Sequence, residues 1–270
     1  MSRRRLAGES MVLAIAGAVL VAFLAAPLLA LVVTTDVDAI ASGLRHPLVA
    51  PALRLSSLTT STSLALVVVF GTPLAWTLSR SEGRFARTIE TVIQLPAVIP
   101  PAVAGLAMLL AFGRRGLFSG WLYPRGSSVT FTTAAVVIAE VFVSAPFFVQ
   151  AATSAFRRID PRLIVVARSF GASPWRVLSR VAIPIAAPGL VAGAAMSWAR
   201  SLGEFGATLM FAGNLQGRTQ TLPLAIYTAL ESDLRAAQAI SIVLLFVAVS
   251  LLVFVRALLR RSSARDEVST

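Results

Sequence analysis

Six apolar runs divide the chain. Met11–Val33 is 23 residues long and carries no charge, and Leu55–Ser79, Thr91–Gly113, Val129–Phe156, Ile185–Met210 and Ala236–Val255 follow it. At about 1.5 Å of rise per residue, each is long enough to cross a bilayer as a helix. The pattern predicts an all-α polytopic membrane protein with six transmembrane helices, residues 11–255, between a short N-terminal segment (1–10) and a tail (256–270). Three arginines, Arg3 to Arg5, precede the first run as they would in a cleaved leader. That run exceeds a typical signal core, so it is expected to be retained. Thr34–Arg54, Arg80–Glu90 and Arg114–Ser128 read as loops, and Phe211–Arg235 as a loop holding a short helix or a shallow re-entrant piece.

The remaining stretch, Arg157–Pro184, has a different grammar: RRIDPRLIVVARSFGASPWRVLSRVAIP. Asp160 can cap a helix with Pro161 at its first position, where a missing N–H costs nothing. Gly171 suits the left-handed residue that ends it. Ser173 and Pro174 repeat the starting signal, and Pro184 is expected to close the second helix. Leu163, Val166, Ala167 and Phe170, then Trp175, Leu178 and Val181, form apolar stripes. Arg162, Arg168 and Ser169, then Arg176, Ser179 and Arg180, face the other way. Such a pair either lies on anionic lipid heads or forms a rigid knob for a soluble partner to grip.

Two features inside the apolar runs carry candidate chemistry. LPAVIPPAVAG in the third run holds Pro96, Pro100 and Pro101, which predict a kinked helix. Broken helices survive in a membrane only against protein or a wet cavity, so Pro100 and Pro101 are candidate path residues. Glu140, Arg200 and Glu204 are charges within the runs, each costing about 2.5–3.5 kcal/mol at the bilayer centre. Arg200 and Glu204 are four apart and predict a pair along one helix face, either structural or a gate. Glu140 has no partner nearby in sequence and either faces a pore or bonds another helix. Gly189, Gly193, Ala194 and Ser197 predict close helix packing, or a dimer seam.

Composition narrows the chemistry. Hydrophobic residues make up 57% and charged ones 13%, half the share of a soluble domain. Without cysteine, and with His46 as the sole histidine, the chain can build neither a thiolate metal site nor a Ser-His-Asp triad. A net charge of +12 points to nucleic acid only in a soluble protein. Here all 24 basic residues are arginines lying mostly between apolar runs. Six crossings put both termini on one side, with sixteen arginines there against seven on the other, so the termini and the knob are expected in the cytoplasm. With no lysine the chain has no GxxxxGK[ST] loop. It is therefore expected to be neither an enzyme nor a nucleotide binder, and an ATP-driven process would need a separate motor chain.

The knob resembles the coupling loop of ABC importer permeases, whose pattern is Glu-Ala-Ala, three residues, Gly, nine residues, Ile-x-Leu-Pro. Ala167 matches the second alanine, Gly171 the glycine, and Val181, Ile183 and Pro184 the closing motif. Val165 and Val166 stand in place of the glutamate and the first alanine. SLGEFGATLMFAGNLQGRTQTLPLAIY (Ser201–Tyr227) resembles the molybdate and sulfate branch, and LPAVIPPAVAG with GRRG (Gly113–Gly116) the molybdate/tungstate permeases. The resemblance covers about Leu55 to Val255. It implies a homodimer, two cytoplasmic ATPase subunits that bind ATP and Mg, a periplasmic or lipid-anchored oxyanion-binding protein, and alternating access. It also implies that Arg168, Gly171, Ala172, Ser173, Pro174, Trp175 and Arg176 couple to the ATPase. Glu140, Arg200, Glu204 and the proline pair remain path or gate candidates. A sulfate or thiosulfate permease and an ATP-independent secondary transporter are the alternatives.

Overall fold

The computed structural model describes residues 3–123 and 128–267, and Arg125, one of the seven outer arginines, lies outside them. The described residues form helices throughout. The first run lies in α1 (Arg3–Thr34), and the following loop holds the short α2 (Val37–Leu44). The second run lies in α3 (Val49–Ser79), which begins six residues before the apolar run does. The third run is divided between α4 (Arg84–Val98) and α5 (Pro101–Phe112). One turn, α6 (Ser119–Leu122), precedes the fourth span, α7 (Thr133–Arg157). The knob follows as α8 (Pro161–Ser169) and α9 (Pro174–Val177). A π-helical turn, Leu178–Ala182, joins α9 to α10 (Ile183–Leu202). Then come α11 (Gly206–Ala212), α12 (Leu222–Leu230) and α13 (Leu234–Glu267). Five helical stretches are long and apolar enough to cross a membrane, and α4 with α5 would make a sixth.

Helix α7 is the axis of the bundle, with α3 and α10 packed along it. Small residues set these distances. A Cβ on Gly189 would lie 2.5 Å from that of Ala155, and one on Gly193 2.8 Å from that of Ala151. Within this chain the small-residue stripe of α10 therefore serves its contact with α7. At the arginine-rich end a core of Leu78, Phe148, Phe156, Ile164, Val177 and Leu178 joins α3, α7, the knob and the π turn. At the other end Ala104, Met108, Val136, Ala207 and Phe211 join α5, α7 and α11. A third core, with Ala52, Leu222, Ala225 and Ile240, binds α12 and α13 to the start of α3. By contrast, α1 stands at the rim, with no residue of Leu13–Thr34 buried.

Three sequence expectations need correction. The third run is not one kinked helix but two, α4 and α5, which meet at 116°. Ile99 and Pro100 are both extended, with ψ of 144° and 139°, as the residue before a proline must be. The fifth run is not one helix either: α10 stops at Leu202 and α11 starts at Gly206. Finally, Pro184 does not close the knob. The chain runs on as one helical stretch, Pro174–Leu202. Proline removes a ladder bond and its ring presses on the carbonyl four residues back. The wider π turn, in which the Ile183 N–H reaches the Leu178 carbonyl, takes up that conflict just before Pro184.

Candidate functional site

The knob is built from local chemistry. An Asp160 carboxylate oxygen accepts the Arg162 N–H at 2.9 Å and starts α8. Gly171 has φ +76°, the left-handed conformation that side chains resist, and it turns the chain between the two helices. The Ser173 hydroxyl accepts the Arg176 N–H at 3.3 Å, with Pro174 at the first position of α9. The inward face consists of Ile164, Val177 and Leu178, with Ala167 and Ala172 half-buried against the same core. The apolar stripe expected on α8 is thus turned outward, leaving Leu163, Val166 and Phe170 exposed together with Val165.

The outward surface is apolar at its centre and cationic around it. Phe170 is 86% exposed and Trp175 71%. Arg162, Arg168, Arg176 and Arg180 are exposed beside them, and among the described residues none has a carboxylate within ion-pair distance. Arg80, just past α3, stacks its guanidinium 4.3 Å above the Trp76 ring. Desolvation pulls its pKa below the usual arginine value, and the nearby positive charge of Arg168 adds to the shift. Arg157 of α7 pairs with Glu90 of α4 and ties the broken third span to this end of the bundle.

The path candidates fall into two groups. Pro100 and Pro101 sit exposed at the α4–α5 break. Just past them, a Cβ on Gly206 would come within 2.7 Å of Pro101, and one on Gly105 within 2.5 Å of Met210. The second halves of the two interrupted runs, α5 and α11, therefore lie directly against each other. Glu204 fixes this junction. The expected pair with Arg200 forms at 2.8 Å, but Glu204 has already left the α10 helix. Its other oxygen accepts the Ala207 N–H at 2.7 Å, at the start of α11. A single buried carboxylate thus answers both a cation and an open helix N-terminus.

Glu140 is 1% exposed and faces α3. It accepts the Thr59 hydroxyl at 2.8 Å, while its second oxygen has no hydrogen-bond partner among the described residues. Sequence reasoning missed that partner and its neighbours. Ser56, Thr59, Thr60 and Ser63 make a hydroxyl stripe on α3, legible as three-to-four spacing inside an apolar run. From this stripe Ser56 accepts the Leu222 N–H at 2.8 Å, and Thr60 accepts the Trp198 ring N–H at 3.0 Å. The segment after α11 is pinned similarly, with Gln220 donating to Asn214 at 3.0 Å and Asn214 to Thr228 at 2.9 Å.

Residues 67–265 match the family described as binding-protein-dependent transport system inner membrane component. The molybdenum transport system permease protein ModB of Mycobacterium tuberculosis is 46% identical over 235 residues, 87% of this chain and 88% of that one. A probable transport system permease protein, NifC of Clostridium pasteurianum, is 37% identical over 79% of this chain and 73% of its own. Among solved structures, a bacterial alginate ABC transporter in complex with a pentasaccharide-bound periplasmic protein superposes with TM-score 0.76, at 17% identity and 96% coverage of both chains. The inward-facing MetNI methionine ABC transporter does so with TM-score 0.61, at 19% identity, over 79% of this chain and 95% of that one. The two structural likenesses speak for the fold and the sequence matches for descent, and on the latter the chain belongs to the family of binding-protein-dependent transport system inner membrane components.

Proposed function

We propose that this chain is the permease subunit of an ATP-driven ABC importer for molybdate, with tungstate as its close chemical analogue. Two copies form the membrane path. Two cytoplasmic ATPase subunits bind ATP and Mg, and an external binding protein, periplasmic or lipid-anchored, delivers the oxyanion. The observation that carries this reading is the knob. Its exposed Phe170 and Trp175 offer apolar anchors to a groove on a partner, and its second helix continues without interruption into a membrane-crossing rod. The relatives named for molybdenum transport supply the substrate.

In this mechanism Arg168, Gly171, Ala172, Ser173, Pro174, Trp175 and Arg176 form the coupling surface. Nucleotide-driven closure of the ATPases moves the knob, and α10 carries the movement to the junction held by Arg200 and Glu204. There α11 presses on α5, so Pro100 and Pro101 act as the hinge of the gate. Glu140 holds α7 to α3 and belongs to the scaffold on which the gate moves. The arginine bias supports a cytoplasmic position for the knob and both termini. Reconstituting the chain with its ATPase and binding protein in liposomes should give molybdate uptake that stops when ATP is withheld. Uptake by the permease alone would overturn the proposal.

A further inference from the structure

The same end of the bundle holds a groove that neither the knob nor the α5–α11 junction explains. It lies between α4 and α7, with Gln94, Gln150, Thr153, Ser154 and the Glu90–Arg157 pair on its polar side and apolar residues of α3, α4 and α7 making up the rest of its wall. Gln94, Gln150 and Ser154 are exposed on two helices of the membrane bundle. Amide and hydroxyl groups at such depth do not face hydrocarbon, because lipid offers them no partner. Gln150 is two helical turns, about 10 Å, inward from Arg157, so this face meets water or protein well inside the bundle.

Thr153 adds a second, independent sign. It is 5% exposed, and its hydroxyl has no hydrogen-bond partner. A helical threonine in this chain commonly spends that hydroxyl on the carbonyl four residues back, as Thr72, Thr77 and Thr91 do at 2.6 to 2.9 Å. Thr153, on the groove wall, instead buries its hydroxyl with no partner among the described residues, which costs free energy unless the groove's occupant reaches it. Arg157 and Glu90 neutralise each other, so the wall presents dipoles in place of net charge. Dipoles hold an anion weakly enough to release it, as a path requires and a storage site does not.

We infer that this groove is a transient binding station for the permeant tetrahedral oxyanion, held by the neutral donors of Gln94, Gln150, Thr153 and Ser154. The inference rests on the import function proposed above and adds the place where the anion pauses before release.

The cysteine-free sequence permits a direct test in the complete transporter. Gln150→Cys, Thr153→Cys and Ser154→Cys are made singly and exposed in inside-out vesicles to a charged, membrane-impermeant thiol reagent. Ser81→Cys serves as a control outside the groove, and molybdate is the probe ligand. The groove cysteines should label, and molybdate should slow their labelling at least about fivefold, the weight of one hydrogen bond, without affecting Ser81→Cys. Absence of labelling at all three positions would mean a face sealed by lipid or by a second copy. Labelling that molybdate does not slow would mean a wet groove that holds no anion. Either result overturns the inference. In the same vesicles Thr153→Val should lower molybdate uptake about fivefold, with Thr153→Ser restoring it. Failure of ATP-driven uptake in the parent complex sinks the function itself, whereas normal uptake without protection sinks only the station.

Discussion

Glu140 and Glu204 are both buried, yet they do different work. Glu204 spends both oxygens, one on Arg200 and one on the first turn of α11. Replacing it with Gln removes the charge from both partners, so Glu204→Gln should destabilise the detergent-purified protein by about 3 kcal/mol, read as a lowered Tm. Glu140 accepts the Thr59 hydroxyl on one oxygen, and Glu140→Gln keeps an acceptor for that hydroxyl. It should leave Tm within a few degrees of the parent, and a large drop would show that the fold depends on the charge of this carboxylate. At Gly171 the φ of +76° disfavours any β-branched residue by about 1–2 kcal/mol. Gly171→Val should leave ATP hydrolysis by the complex while cutting uptake at least about tenfold, and normal uptake would remove the knob from the mechanism. The caps at Asp160 and Ser173 were legible because a cap involves only residues two or three apart. The Glu140–Thr59 bond was not, since 81 residues separate its ends and no local rule joins them.

Among elements, hydropathy located every span but could not say which ones break. The prolines announced an interruption near residue 100, yet the 116° angle accompanies a contact of α5 with α11, between distant segments that no local rule joins. The α10–α11 break is harder to foresee, because no proline marks it and SLGEFG offers only two glycines and one charge as warning. The proline at position 184 misled for a related reason: a proline ends an α-helix, but a single π turn lets the helix continue around it. Pro184→Ala should let that turn relax toward α geometry and shift the register between knob and rod. The expected outcome is ATP hydrolysis at the parent rate with less molybdate imported per ATP, measured side by side in proteoliposomes. Packing between α7 and α10 gives a sharper test. Gly193→Leu inserts a side chain where even a Cβ comes within 2.8 Å of Ala151. Overpacking of this kind should cost about 3 kcal/mol and lower the yield of folded protein.

Taken whole, the molecule concentrates its positive charge at the end where α3, α7 and the knob meet. That asymmetry and the family's coupling pattern were both readable in sequence, whereas the central position of α7 was not, because hydropathy carries no information about neighbours. The folded arrangement also changes how the knob reads. With the α8 stripe facing outward, the surface offered to a partner is an apolar centre rimmed by arginines that have no ion-pair partner among the described residues. The family's glutamate is absent from it, since Val165 stands there exposed. A groove that receives this surface should be apolar at its floor and acidic at its edge. Association with the ATPase should accordingly weaken as salt rises from 50 to 500 mM, values set on the order of the Debye screening range, and Trp175→Ala should abolish co-purification at any salt.

The uninterrupted stretch from Pro174 to Leu202 is 29 residues, roughly 43 Å at helical rise. Such a rod behaves as a crank. Tilted by about ten degrees around its middle, it swings each tip by roughly 4 Å, about the width of one side chain. In the proposed import cycle, a modest squeeze applied to the handle would arrive at the far tip as a stroke large enough to open or shut an ion-sized doorway.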